Sequence, residues 1–391
     1  MDDAFAPLAG VRVVEMSHMI MGPSCGMFLG FLGAEVIKVE PPEGDKTRAL
    51  TGMGRPFFPL FNRGKKSVQL DLRSEAGRAA LDRLLATADI FVENFRDAAL
   101  GRMGADPQEL RARFPRLILA SHKGFLSGPY ENRTALDEVV QMMTGLANMT
   151  GPTGRPLRVG SSANDIMGGL FGALSVVAAL RERDTTGQGR SIRIGLFENC
   201  LLLVAQHMVQ FELEGRSPLP MPERDFSWPV YDIFDTADGE QVFVGAVSES
   251  QWVALCTYLG LTGLLADPAL QLRMDQINAR DRTIPVFAAA IRLRDREALV
   301  ADLERLGLPF SPISKPADMF DDPHVMRPGG LATSTLWTGE TFRAPALPFE
   351  VDGAMLTGGG NVDAIGAHSA EVLAGLGMTE DEITVAMGKA A

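Results

Sequence analysis

The chain of 391 residues is 46% hydrophobic and 22% charged, enough apolar material for a full core and two domains. Its net charge of −12 argues against nucleic acid or an anionic membrane as the default partner. No run of about 18 uncharged apolar residues and no leader-like opening occurs, so neither a membrane span nor secretion is expected.

Residues 11–16 (VRVVEM) read as a short buried strand, 23–32 as a helix carrying small residues, and 35–39 (EVIKV) as a second strand. That βαβ order predicts an open parallel α/β sheet. Residues 67–72, 89–93 and 117–121 supply further strands, with an amphipathic helix over 74–86. In such sheets ligands bind beyond the carboxyl ends of the strands. Ser17-His18, Asn94-Phe95 and His122-Lys123 all fall at such ends.

Residues 161–169 (SSANDIMGG) place one acid, Asp165, where the apolar run 166–180 begins. Two readings stay open. Asn164 or Asp165 caps the helix, or Asp165 is a carboxylate nucleophile kept ionised by the helix dipole. Gly168 and Gly169, one turn on, let backbone or ligand approach closely.

A strand follows over 190–197 and a helix over 198–214. The proline-rich stretch 216–228 reads as a linker. From residue 229 the texture changes to a hairpin, YDIFDTADGEQVFVGAV, followed by helices at 249–259 and 296–306. The expected organisation is a large domain over 1–215, the linker, a small α+β domain over 229–314, and a tail over 315–391 returning to the large domain. A helix is expected near 368–376 of that tail.

Gly22-Pro-Ser24-Cys-Gly26 matches the G-x-S-x-G nucleophile elbow, but Pro23 does not suit the strained turn and no acid-then-histidine pair follows. Gly22, Gly26, Gly30 and Gly33 with Glu40 are a poor dinucleotide site, since G-x-G-x-x-G is missing. Cys25, Cys200 and Cys256 lie far apart without CxxC, and the five histidines lack HxH and HxxxH spacing. Reduced thiols in a cytoplasmic protein and no metal site are therefore expected. Basic residues at 63–66 (RGKK), Arg73, Arg96, Arg102 and Lys123 are either solvated loop charge or a pocket for a polyanion. Phe95 and Asn94 offer a flat contact and an amide to a nucleobase, with Met21 and Met103 as adaptable walls.

Together these segments resemble the class III coenzyme A transferases, the formyl-CoA transferase and carnitine CoA-transferase family, which also holds the α-methylacyl-CoA racemases. The likeness runs nearly end to end. It is carried by LAGVRVVEMSHMIMGPSCGMFLGFLGAEVIKVEPPEGD, NRGKKSVQLDLRSEAGR, VENFRDAALGRMG, SHKGF with ALDEVVQMMTGLANMTG, SANDIMGG and ALRERDTTGQGRSIRIGLFEN. The resemblance implies a Rossmann-like large domain, a small domain and an interlocked homodimer. It places the catalytic aspartate on Asp165, which would form an acyl anhydride and then an aspartyl–CoA thioester. It places CoA contacts on His18, Ile20, Met21, Leu70, Leu72, Arg73, Asn94, Phe95, Arg102, Met103, Lys123 and Phe125, beside a helix carrying Gln141. No tightly bound cofactor is implied, only CoA and acyl-CoA as substrate.

Ile20 stands where formyl-CoA transferase has glutamine, Pro41 where it has arginine, and its glycine-run lid has no counterpart before Val242. These departures argue against oxalate or formate. The expected activity is transfer of CoA between small organic acids, with a dicarboxylate acceptor and succinyl-CoA as donor. The alternative is a 2-methylacyl-CoA racemase, which needs a histidine and an acid on opposite sides of the α-carbon; His122 alone is near. A silent CoA-binding protein is disfavoured by the intact Asp165.

Overall fold

Alternating β-branched residues in five short segments, and a sixth at the edge, build one parallel sheet. Its strands are β1 (Arg12–Met16), β2 (Glu35–Glu40), β3 (Lys66–Gln69), β4 (Ile90–Glu93), β5 (Ile118–Lys123) and β6 (Ser191–Gly195), in the order β3-β2-β1-β4-β5-β6. Every neighbouring pair is parallel. The strand order reverses between β1 and β4, so a crevice opens at the carboxyl ends of those two strands.

The helices are α1 (Met21–Phe31), α2 (Phe57–Phe61), α3 (Glu75–Leu85), α4 (Asp97–Arg102), α5 (Pro107–Arg113), α6 (Asp137–Thr144), α7 (Leu146–Thr150), α8 (Ala163–Thr186) and α9 (Leu196–Glu214). Successive strand residues feed opposite core faces, as period-two alternation requires. Val13 packs with α1 and α8 through Leu29, Cys25 and Ala173. Val14 packs with α3 through Leu81 and Leu84 on the other face.

The structure, a computed structural model, describes residues 5–389. The chain divides into two units, one reaching Pro222 and resuming at Pro323, the other spanning Glu223–Asp322. The second unit has an antiparallel sheet of β7 (Val230–Asp235), β8 (Gln241–Ala246) and β9 (Phe310–Pro312). Helices α10 (Glu249–Leu259), α11 (Thr262–Ala266), α12 (Arg273–Asn278), α13 (Arg280–Ile291) and α14 (Arg296–Arg305) complete it. Its core closes on Trp252 and Phe287, whose rings are 5.3 Å apart.

After Pro323 come two short hairpins, β10–β11 (Leu331–Thr335, Thr341–Pro345) and β12–β13 (Glu350–Val351, Ala354–Met355), then α15 (Ser369–Ala374) and α16 (Glu380–Ala386). These last helices cover the α3 face of the large sheet with Val372, Leu373 and Ile383. Asp71 donates its N–H to the Ala386 carbonyl at 2.8 Å, and Gln69 reaches the Met387 carbonyl at 2.7 Å.

Several expected boundaries move. Helix α1 starts at Met21 rather than Pro23, because Ile20 already accepts the Ser24 N–H. Strand β3 stops at Gln69 where Glu40, the last residue of β2, receives Leu70. Strand β5 continues through Lys123 because β6 pairs alongside it. Among the described residues one helix, α8, is long and apolar enough to cross a membrane, with a mean hydropathy of 1.5 in its most apolar stretch. Its glycine face is buried in this unit, as follows.

Candidate active site

Helix α8 begins after Ser162, and Asp165 is its third residue. Neither Asn164 nor Asp165 caps it. Asn164 is buried, donates to the Leu196 carbonyl at 3.1 Å and accepts the Asn199 amide at 2.6 Å, which ties α8 to α9. A side chain at Gly168 would collide with Met21, one at Gly169 with Ser24 Oγ and the Met21 and Cys25 backbone, and one at Gly172 with His122 and Cys25. The glycines therefore admit the backbone of α1 and not a ligand. This close crossing sets the first turn of α8 beside the loop that leads into α1, where Met21 touches Gly168 and Ile166 packs near Ile20.

Asp165 is half-buried, and its carboxylate accepts no hydrogen bond from any described residue. Burial first, then the nearby Asp137 carboxylate, push its pKa up to about 7, with Arg158 opposing. Those two effects outweigh what the helix N-terminus offers a carboxylate. Asp137 Oδ2 accepts the Asp165 N–H at 3.2 Å, while Oδ1 accepts the Gln141 amide and, at 3.5 Å, the Arg158 guanidinium. Gln141 in turn accepts the Val159 N–H at 2.9 Å, fixing the loop that carries Arg158. An acid poised near neutrality can switch between nucleophile and protonated form at working pH.

The strand-end loop is held from below and from the side. Lys38 Nζ donates to the Ser17 carbonyl at 2.7 Å, and Thr47 Oγ1 accepts the Met19 N–H at 3.0 Å. Met19 sits at φ 62°, which non-glycine residues seldom adopt. Asn94 clamps His18 from both sides, accepting its N–H at 3.1 Å and donating to its carbonyl at 2.8 Å. The His18 and Phe95 rings lie 5.2 Å apart, and partial desolvation holds the His18 pKa below its ordinary value, with Asp45 opposing. Lys123 Nζ donates to the Phe95 carbonyl at 2.7 Å and pairs with Glu93 at 2.9 Å and Asp97 at 2.8 Å. His18, Asn94, Phe95 and Lys123 are thus brought together at the carboxyl ends of β1, β4 and β5.

Other candidates are placed differently. Leu72, Phe95 and Met103 form a half-buried rim on one core face. Arg73 and Arg102 are exposed, Arg73 bonded to Asp71 at 2.7 Å. Ile20, Met21, Leu70 and Phe125 are buried and present no side chain to a ligand. The Asn94 amide makes one accepted and one donated bond to the His18 backbone. Of the basic run 63–66, Arg63 and Lys65 are buried and Lys66 pairs with Glu35 and Glu371, so it is not solvated loop charge, and it precedes and opens β3 at the amino ends of the strands rather than the carboxyl ends.

Three weighed alternatives fail on burial. Ser24 is fully buried inside α1 and donates to the Met21 carbonyl at 3.0 Å, so it is no nucleophile elbow. Glu40 is buried and engaged by Arg48 and Ser67, both at 2.7 Å, so it faces no ribose. His122 is buried against Cys25 and Gly172, and burial presses its pKa down to about 4. The residues missed from sequence are Asp137, Arg158, Lys38 and Thr47. Asp137 opens α6 and has the sequence signature of a helix start, which masks its second role.

The CoA-transferase family III model matches residues 8–368 of the chain. A succinate–glutarate CoA-transferase of Agrobacterium fabrum is 29% identical over 97% of this chain and 98% of its own. A succinyl-CoA–D-citramalate CoA-transferase of Chloroflexus aurantiacus is 31% identical over 98% and 97%. The crystal structure of a CAIB/BAIF family protein from Brucella suis superposes with a TM-score of 0.86 at 31% identity, covering 95% of this chain and 100% of that one.

Proposed function

Because the chain belongs to CoA-transferase family III, we propose that it moves CoA from an acyl-CoA donor to a small carboxylic acid by covalent catalysis on Asp165. It is an enzyme of that class. The Asp165 carboxylate attacks the donor thioester carbonyl, the C–S bond breaks and CoA thiolate leaves, giving a mixed anhydride. The thiolate then attacks the aspartyl carbonyl, releasing the donor acid and leaving an aspartyl–CoA thioester. An acceptor carboxylate attacks that carbonyl in turn, the C–S bond breaks and CoA thiolate leaves, giving a second mixed anhydride. The thiolate then attacks the acceptor acyl carbon, forming the new acyl-CoA and freeing the Asp165 carboxylate. CoA and acyl-CoA are substrates, and no tightly bound cofactor has a role.

One observation carries this reading: a half-buried, unpartnered carboxylate with a pKa of about 7 stands on the first turn of α8 beside the His18–Met21 loop. His18, Asn94, Phe95 and Lys123, with the rim of Leu72 and Met103 and the exposed Arg73 and Arg102, are the proposed CoA surface. Ile20, Met21, Leu70 and Phe125 are buried and support that surface by packing.

Relatives named for succinate, glutarate and D-citramalate support a dicarboxylate acceptor with succinyl-CoA as donor. Arg158, the cation that acts on Asp165, is suited to hold the distal carboxylate. A racemase would need a histidine facing the substrate, and His122 is enclosed. A homodimer is supported by apolar side chains on α8 and α9, where Leu174 is 59% and Leu213 81% exposed. Three unpaired, buried cysteines suit a reducing cytoplasm.

The test is incubation with succinyl-CoA, trapping with hydroxylamine or borohydride, and peptide mapping. A modified Asp165 supports the reading. Turnover retained by Asp165→Ala would sink it.

A further inference from the structure

The amino ends of the strands, opposite the His18 loop, hold a cavity of about 160 Å³ lined by Phe5, Ala6, Phe31, Arg63, Gly358 and Gly359 among others. Arg63 is only 3% exposed and makes no ion pair with any described carboxylate. Its Nε donates to the Leu60 carbonyl at 3.1 Å, its guanidinium stands 5.1 Å from the Phe31 ring centre, and its Nη1 has no partner. A carbonyl, a ring face and the Met27 thioether, 4.0 Å from Nη2, supply no counter-charge. A buried cation without one is costly, and burial here lowers the Arg63 pKa to about 10.

The surrounding backbone is built to come close. Gly359 lies against Gly64, where any side chain would collide with the Gly359 carbonyl, and a side chain at Gly358 would strike Phe31. The N–H groups of Gly358 and Gly359 make no hydrogen bond to described residues. Neighbouring acids are already committed: Glu15 to Lys38 and Lys65, and Glu35 to Arg12 and Lys66. Nearby positive charge is thus left without an acid to answer it.

We propose that this cavity is a second binding site, for a small oxyanion, carboxylate or phosphate, held by Arg63 and the Gly358–Gly359 backbone. Two sources have that chemistry: a free anion, or the chain's own Asp2 and Asp3, which precede Phe5 in the sequence. The site lies apart from Asp165, and the proposal does not depend on the transfer reaction.

The experiment measures the melting temperature in inorganic phosphate, and separately acetate, against chloride at equal ionic strength, with CoA saturating so that anion binding at Asp165 is suppressed. Wild type is expected to gain about 2 °C at ten times Kd. Arg63→Met should lose that gain. Ala6→Glu, which places a carboxylate in the cavity, should also lose it and melt higher without added anion. Should Arg63→Met not fold, Ala6→Glu decides alone. A gain seen only in Asp2→Asn/Asp3→Asn supports the site and names the chain itself as the source. No gain in either that variant or wild type overturns the proposal, as does a gain retained in Ala6→Glu.

Discussion

The Asp165 backbone nitrogen lies 3.2 Å from Oδ2 of Asp137, so the first turn of α8 is anchored to the first residue of α6 by a second carboxylate. The same carboxylate that positions Asp165 also raises its pKa. One contact therefore fixes the position of Asp165 and, second to burial, tunes its acidity.

That coupling predicts the pH dependence. In the proposed mechanism the reactive form is ionised Asp165, so kcat/KM for the acyl-CoA donor should fall as pH drops below about 7. Asp137→Asn removes a negative charge and should move this limb to lower pH. A limb that stays in place would show that Asp165 does not control it.

Stability should follow the same group with the opposite sign. An acid whose folded pKa is raised disfavours the folded state once it ionises, so stability is lost as pH rises from about 4 toward 7. Asp165→Asn should be more stable than wild type at pH 8 by about 1–3 kcal/mol, after discounting for partial solvent access. The gap should narrow as pH falls toward 4. Urea unfolding of both proteins across this range measures it.

Arg158 stands 3.5 Å from Asp137 and 3.8 Å from Glu138, and donates to the Val159 and Ser161 carbonyls, both at 3.2 Å. Arg158→Gln should raise KM for a dicarboxylate acceptor about tenfold, the loss of one charge-assisted contact. KM for a monocarboxylate acceptor should hardly change. Equal effects on both acceptors would assign Arg158 to the loop's structure instead.

The crossing of α1 and α8 leaves no room at Gly169, where a methyl group would meet Ser24 Oγ and the Met21 carbonyl. Gly169→Ala should cost about 2–4 kcal/mol and lower kcat by displacing Asp165. Ser24→Ala should not rescue it, because the backbone contacts remain. Full stability in Gly169→Ala would mean the helices can separate freely.

Leu170 and Leu174 stand exposed on α8, one turn apart. If they bury against a second copy, Leu170→Glu/Leu174→Glu should shift the protein toward monomer in light scattering. An unchanged mass would place the interface elsewhere.

Much of the scaffold was legible in the chain. Short β-branched runs alternating with small-residue helices predict the parallel sheet, and strand ends at residues 16, 93 and 121 predict where His18, Asn94 and Lys123 gather. The pattern works because strand period and burial are local properties. What the chain did not show is that Arg63 and Lys65 of the basic run are buried, because sequence spacing does not report burial.

The amino-acid sequence by itself determined the parallel α/β sheet, and by resemblance the family and the position of Asp165. Only the tertiary structure decided the chemical state of that acid. Its raised pKa comes from desolvation and from Asp137, 28 residues away and on another helix. It likewise decided that Arg63 lies buried without a described counter-charge. Field and solvation depend on distances through space, which the order of residues along the chain does not contain.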